Sequence, residues 1–395
     1  MGLREFKFAL LCHEVEESTG FPSAFAHYLQ QQGVRLTYIR FPFFYSITKA
    51  IWIEKFAGQN LLSQRLSWIR FYQPQLLSFA KDILWLMTVG WVHVLGSDFV
   101  LVSDNLLGFA ALILRKLGII KRFTYLIVDY SPRRFQNSLV EKLYVYLDRL
   151  VATHADSVWT MNRGMLEARE RDGRINLTDV NYLIASMGNY SKDLFAKGEP
   201  PYRKRDLVYM GNGNAKNVRA DLLLDVARLL QDRGEDYRLI FICPNSTMDS
   251  LRQKAQQLNL GEHVVFHGAI PGAMDLERFL AGCGIGLAPY DPTLKDNFSK
   301  YGDPGKIKSY LGCGLPVIST DVPVIAHDLQ ATGAGRIAEF SVDGFAKQIL
   351  DLWSSEQTFL KARAQARQMG EKFSWPAIFD RLLADERLDG APTET

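Results

Sequence analysis

The feature that most constrains this chain of 395 residues is an alternation that runs twice along it. Short apolar runs of strand length are each followed by a stretch of helical period. In the first half, residues 6–12, 34–39, 100–102, 123–128, 157–160 and 180–184 read as strands, and 22–32, 106–117 and 138–154 as helices. In the second half, 206–210, 238–242, 264–266, 285–288 and 317–318 read as strands. A helix carrying Leu222, Leu223, Val226, Leu229 and Leu230 on one face follows 206–210, and 246–258 reads as another. Strands separated by helices pair in parallel, so the expected fold class is α/β, with two doubly wound Rossmann-like domains. The chain is long enough for two cores. Proline, glycine and charge cluster at 197–205, the expected linker. No sequence repeat relates the halves. Ligands of open α/β sheets bind beyond the carboxyl ends of the strands, which implies a cleft between the domains.

Composition excludes several classes. Apolar residues make up 47% of the chain, which argues against global disorder, and the net charge of +3 is too mild to imply nucleic acid. Cys12, Cys243, Cys283 and Cys313 are isolated, with no spacing that suggests metal or redox chemistry, and a reduced cytosol fits. The first residues carry charges too closely spaced for a signal peptide. The uncharged stretch 83–97 is shorter than the roughly 20 residues a membrane-spanning helix needs. The last residues, 390–395, are expected to fray.

Residues 302–320 read as a capped helix, a glycine break and a buried strand. Asp303 suits the N-cap and Pro304 the first helical position, while Gly312, Gly314 and Pro316 end the helix. Lys306 is the odd residue, a cation in the first turn, where the helix dipole disfavours it. It makes sense there if an anion such as a phosphate is held beside the helix N-terminus, the alternative being a solvated surface lysine.

Pro304, Lys306, Tyr310, Leu311, Gly314, Pro316 and Val317 resemble the nucleotide-sugar-binding segment of GT-B-fold glycosyltransferases, chiefly the family 4 type. The resemblance covers nearly the whole chain, specifically in the second half and mostly in layout in the first. It implies two Rossmann-like domains facing a cleft: 1–196, binding acceptor, and 206–372, binding the nucleotide sugar. A last helix, 373–389, would cross back to the first domain. It implies a hexosyltransferase-type activity without a bound metal or other cofactor, with a nucleotide-diphosphate sugar such as a UDP-sugar as co-substrate. In that family the helix N-terminus faces the donor pyrophosphate. The chain departs from the family in lacking a pair of glutamates eight residues apart; Tyr301 and Ser309 stand at their positions. Ser309 would make a weaker hydrogen bond to a ribose hydroxyl than a carboxylate does.

Several further residues can carry this chemistry. Gly211 and Gly213 follow a strand and precede a helix, where backbone N–H groups can approach a pyrophosphate, although tight turns look the same. Lys216, in preference to Arg219, is expected to neutralise donor phosphates. Asn245 lies where the family places the nucleobase, and is also a natural N-cap along with Ser246. Tyr290 and Asp303 lie in segments that would face the sugar and diphosphate. In the first half, Asp129 ends an apolar run, where it would be the base for an acceptor hydroxyl or a simple turn cap. Arg133 and Arg134 beside it, and the Gly20 loop, would bind acceptor or phosphate. His13 and Glu14 end the first strand; His13 is a second candidate base or a sugar ligand, against a structural histidine.

Residues 41–96 mix aromatic side chains, among them Phe41, Trp68, Phe71, Tyr72, Trp85 and Trp91, with Lys49, Lys55, Arg65, Arg70 and Lys81. Such segments settle at membrane interfaces or pack as a small insertion. The expected partners are therefore a nucleotide-sugar donor, a glycan or lipid-linked acceptor and an anionic membrane surface, without nucleic acid. The expected location is cytoplasmic, peripheral on the inner face of the cell membrane, in polysaccharide or glycolipid synthesis. A sugar-nucleotide epimerase and a non-catalytic scaffold of the same fold are the alternatives. Asp129 and the stereochemical outcome are linked: Asp129 as a base favours inversion, and without a base there retention is favoured.

Overall fold

The computed structural model describes residues 3–14, 20–43, 50–67, 75–191, 194–195, 198, 200–294 and 298–388. The chain divides into two compact units, Met1–Ser186 with Ile378–Thr395, and Met187–Ala377.

The strands of the first unit are β1 (Lys7–Glu14), β2 (Arg35–Pro42), β3 (Trp52–Ala57), β4 (Asn60–Leu66), β5 (Phe99–Val102), β6 (Phe123–Ile127), β7 (Ser157–Thr160) and β8 (Tyr182–Ile184). Its helices are α1 (Phe21–Gln31), α2 (Gln75–Trp85), α3 (Trp91–Val94), α4 (Asn105–Lys116), α5 (Ser138–His154) and α6 (Arg163–Arg171), with a π-turn at Leu86–Gly90 joining α2 to α3. The sheet order is β4-β3-β2-β1-β5-β6-β7-β8. All pairings from β2 to β8 are parallel, and β3 and β4 add an antiparallel hairpin to the β2 edge. β1 and β5 are buried almost throughout, as fits strands covered on both faces. Strand one extends two residues past the expected end, so His13 and Glu14 belong to the strand itself.

The second unit carries β9 (Asp206–Met210), β10 (Arg238–Ile242), β11 (Val264–Phe266), β12 (Ile285–Ala288), β13 (Val317–Ser319) and β14 (Gly335–Ile337). Its helices are α7 (Leu222–Asp232), α8 (Asp249–Gln257), α9 (Ala273–Ala281), α10 (Gly305–Gly312), α11 (Ile325–Thr332), α12 (Val342–Trp353) and α13 (Glu356–Glu371). The sheet is wholly parallel in the order β11-β10-β9-β12-β13-β14, a doubly wound arrangement whose order reverses between β9 and β12. On α7, Leu223, Val226 and Leu230 are buried as their period requires, and Leu222 and Leu229 are half-buried.

The last helix, α14 (Trp375–Asp385), begins in the second unit and ends in the first. There Phe379 packs on Phe21, Phe25 and Tyr28 with ring centroids 4.9–5.3 Å apart. Just beyond it, Glu386 accepts from the Trp159 indole at 2.8 Å and pairs with Arg122. The first change of unit falls at Ser186/Met187, ahead of 197–205. The reason lies in hydrogen bonds. Met187 N–H donates to Asp303 at 2.6 Å, and Asn189 N–H to Phe373 O at 2.8 Å. The Asn189 amide donates to Gly370 O at 3.0 Å, so this stretch is already built into the second unit.

Candidate active site

The order reversal of the second sheet places the loop after β9 and the loop after β12 side by side. Asp291 N–H donates to Asn217 O at 3.1 Å, Arg219 N–H to Pro289 O at 2.9 Å, and the Asn217 amide to Ser299 Oγ at 2.6 Å. α10 delivers Lys306 to the same place. Its ammonium lies 4.8 Å from the Tyr209 ring centre and 5.5 Å from that of Tyr290, and a Cβ on Gly211 would come within 2.9 Å of it. Gly211 has φ +138°, so the position needs glycine for its backbone as well as for that space. Lys306 pairs with no carboxylate among the described residues. Burial pulls its pKa down from the usual lysine value to about 8, with the Cys243 thiol a small opposing influence. A desolvated ammonium on two aromatic faces, without an acidic partner among the described residues, carries a charge that no neighbouring carboxylate balances.

The rest of this site differs in detail from expectation. Neither glycine offers a free N–H: Gly211 donates to Ile242 O at 3.0 Å and Gly213 to Thr247 Oγ1 at 3.1 Å. Gly213 packs directly on the Thr247 carbonyl, so its lack of a side chain serves packing. Asp303 is not the N-cap of α10. Pro304 occupies that position, and Asp303 instead pairs with buried Lys308 at 3.2 Å and accepts from Met187 N–H. Asn245 sits in a short 3₁₀ turn without a side-chain cap. Its Oδ1 lies 3.4 Å from Arg252 and close to Gly268, whose φ is +86°. Lys216 is exposed and makes no ion pair among the described residues, while Arg219 is clamped by Asp221 through two bonds of 2.8 Å. That contrast favours Lys216 as the cation open to a ligand. Tyr290 is buried, its carbonyl accepting from Thr320 Oγ1 at 2.7 Å.

Ser309 hydrogen-bonds Glu277 of α9. Glu277 is buried, accepts from Tyr190 N–H at 3.0 Å on both oxygens, and has its pKa pushed up to about 7 by burial, against those bonds. A carboxylate thus stands behind Ser309, reached from another helix. Sequence reasoning missed it because nothing in 273–281 marks Glu277 apart from the other acids of that stretch. Tyr209 was missed as well, as one residue of an apolar strand.

In the first unit the order reverses between β1 and β5. His13 lies at the end of β1. Its Nδ1 is 2.7 Å from Asp104, the N-cap of α4, and its Nε2 3.3 Å from buried Asp82 of α2. Burial opposes the charged ring, yet Asp104 and then Asp82 outweigh it, and the pKa is raised to about 9. Both ring nitrogens are engaged by carboxylates that favour the charged ring, an arrangement that speaks against His13 as a proton acceptor. Asp104 was legible as a cap after the 100–102 strand; Asp82, on a helix, carried no signal. Glu14 accepts from the Tyr38 hydroxyl and from Ser23 Oγ.

Asp129 follows β6 with its side chain 63% exposed, and one oxygen bonds Arg134 at 2.5 Å. Arg133 donates to Phe135 O at 3.1 Å and Gln136 O at 2.5 Å, which fixes its own loop rather than presenting the guanidinium to an anion. Arg174 holds the same loop through Ser131 O and Pro132 O. Gly20 is the N-cap residue of α1 with φ −73°, so no left-handed backbone requires it. Of the 41–96 aromatics, Phe41 and Trp85 are buried, Trp52 and Trp91 half-buried, and Trp68, Phe71 and Tyr72 lie outside the described residues, as do Lys49 and Arg70. Among the described residues of this segment the exposed large apolar groups are aliphatic: Leu61, Leu62, Leu77, Leu84, Val89 and Val92 among them.

Two parallel-sheet units with a returning helix define the GT-B fold of glycosyltransferases. The family model described as Glycosyl transferases group 1 matches residues 204–355. The sucrose-phosphate synthase of Thermosynechococcus elongatus superposes with a TM-score of 0.66 at 14% identity, over 96% of this chain and 98% of that one. Alr3699/HepE of Anabaena, solved in complex with UDP, gives a TM-score of 0.62 at 12% identity, over 98% of this chain and all of that one. In sequence, the chain is 23% identical over 289 residues to the chitobiosyldiphosphodolichol beta-mannosyltransferase of Debaryomyces hansenii. That match covers 65% of this chain and spans 60% of the relative's length.

Proposed function

We propose that the chain is a glycosyltransferase that moves a sugar from a nucleotide-diphosphate donor to an acceptor hydroxyl. The observation that carries the reading is Lys306, a desolvated ammonium between Tyr209 and Tyr290, with no carboxylate beside it among the described residues. Glycosyl transfer from such a donor develops negative charge on the leaving diphosphate. A preorganised cation in a poorly solvated site stabilises that charge more than water does. Lys216 adds a second cation from the loop after β9. Ser309, backed by Glu277, is placed to meet a donor hydroxyl. No resident metal or cofactor is needed for this scheme.

Asp129 is the proposed base for the acceptor hydroxyl, with its free oxygen to take the proton while Arg134 holds the other. The relative's name, a mannosyltransferase acting on a diphosphodolichol-linked sugar, supports a lipid-linked acceptor in glycolipid or cell-surface polysaccharide synthesis. Such an acceptor supports a location at a membrane interface, which we propose to be its cytoplasmic side. No helix among the described residues is long and apolar enough to cross a membrane, and the exposed leucines and valines of 41–96 support peripheral contact instead. The epimerase and scaffold readings lose ground because residues 204–355 match a transferase family.

The experiment is a thermal-shift screen with UDP, GDP, ADP and dTDP, followed by an assay for nucleoside diphosphate released from the matching sugar nucleotide when lipid acceptor is added. At about 100 times the dissociation constant, the bound ligand adds roughly 2.7 kcal/mol of stability. Release that depends on acceptor supports transfer. Binding without any release supports the scaffold, and isomerised donor without acceptor supports the epimerase.

A further inference from the structure

α5 is built the wrong way round for a helix on a solvated surface. Its core side is carried by Asp148, Val151 and Ala152, the buried residues of the helix. The opposite side, which such a helix normally fills with polar groups, carries Leu139 at 75% exposure, Leu143 at 58% and Tyr146 at 62%. These three lie at i, i+4 and i+7, one continuous stripe.

The stripe does not stand alone. α4 packs against α5 on one side and against α2 on the other, with Gly108 giving the room for Val151 of α5. Outward positions of α4, Leu106, Phe109 and Ile113, are apolar and half-buried. On the α2 side, Leu77, Leu84, Val89 and Val92 are exposed. The three-helix layer of the first unit therefore turns an apolar outer face to solvent. Its charges have one sign: Lys116, Lys142 and Arg149 are exposed. The acids Asp82 and Asp148 are buried, and Glu141 is occupied by the N–H groups of Arg134 and Phe135.

We infer that α2, α4 and α5 together form a plate that seats the first unit on an anionic lipid bilayer, with α5 as a contact outside the 41–96 segment. An apolar face fringed by lysine and arginine, with no freely exposed acid among the described residues of its three helices, is complementary to that surface. The inference rests on the membrane contact of the proposed function but not on its sugar chemistry. It also gives the contact an orientation. The loop holding Asp129 and Arg134 runs directly into the N-terminus of α5, so seating Leu139 and Leu143 brings that loop to the interface, where the head of a lipid-linked acceptor lies.

The test is binding of the full chain to phosphatidylcholine vesicles with and without phosphatidylglycerol, at low and high salt. The wild type is expected to bind the anionic vesicles and to release with salt. The double variant Leu143→Glu/Tyr146→Glu is expected to lose binding by about tenfold or more, with an unchanged melting curve because both positions are exposed. Lys142→Glu/Arg149→Glu is expected to remove most of the salt-sensitive part. If Leu143→Glu/Tyr146→Glu binds like the wild type while Leu84→Glu/Val92→Glu does not, α5 is no part of the contact and the inference fails while the 41–96 contact stands. A wild type that ignores anionic vesicles overturns both. A stripe variant that converts a dimer to a monomer in light scattering, with vesicle binding unaltered, assigns the face to a second copy and overturns the inference.

Discussion

The two sheets reverse their strand order in the same way and fill the reversal point with opposite electrostatics. In the first unit a cation, His13, lies between two carboxylates, Asp104 and Asp82, and its charge is met inside the protein. In the second unit a cation, Lys306, lies among aromatic rings with no acid beside it among the described residues. The first arrangement raises a pKa to about 9 and the second lowers one to about 8, although desolvation opposes the charge in both. The difference is the partner, and on the proposed function it separates a cation balanced within the protein from one left for the donor phosphates.

Substitutions at the two points, and at the proposed base after β6, sharpen this comparison. The largest effect is expected from Asp129→Asn, which removes a proposed base. Turnover should fall by about 10²- to 10⁴-fold with donor affinity nearly unchanged, read from steady-state kinetics beside donor titration. Turnover near wild type would make Asp129 a partner of Arg134 alone.

His13→Gln should cost about 3–5 kcal/mol of stability in denaturant unfolding, because two buried or half-buried carboxylates lose their shared cation. The pH dependence has a definite sign. The folded pKa is raised, so the contribution is fully present below about pH 6.5 and is lost as pH rises towards about 9. The variant should lack that slope. A stable His13→Gln protein of normal pH dependence would mean the imidazole is neutral and the two points are not opposites.

Gly211→Ala is expected to cost about 1–3 kcal/mol, because φ +138° is strained for any residue with a Cβ, and to weaken nucleotide binding by crowding the Lys306 ammonium. Thermal melts with and without nucleoside diphosphate separate the two effects. A smaller loss would show that the loop relaxes away from Lys306.

What the sequence disclosed followed from local physics. Apolar runs bounded by glycine and proline located the parallel strands apart from β14 but not the β3–β4 hairpin, and the oddity of a lysine in a first helical turn singled out Lys306. The cap was misassigned by one residue because Asp303 has a stronger use in pairing with Lys308, a contact set by the fold of the helix rather than by the order of residues. The glycines of the loop after β9 were legible as glycines, but their N–H groups are consumed by Ile242 and Thr247, partners distant in sequence. Glu277, Asp82 and Tyr209 were invisible for the same reason: each acts through a neighbour on another element. The aromatic character of 41–96 was plain, yet where it is described it faces the protein interior or its margin, and the aliphatic side chains are the ones left in solvent.

The most direct test of the contrast is the affinity for the nucleoside diphosphate found in the screen, measured by calorimetry from about pH 7 to 10 on the wild type and on Lys306→Ala. The lysine must be charged to hold the phosphates and titrates near pH 8 in the free protein, so wild-type affinity should fall as pH rises through about 8. Lys306→Ala should bind about 10- to 100-fold more weakly at pH 7, the worth of a hydrogen bond to a charged group, and should lose that part of the pH dependence while melting like the wild type. Equal affinity of the two proteins at pH 7, or a wild-type affinity indifferent to pH in this range, would contradict the assignment of Lys306 as the anion-binding cation.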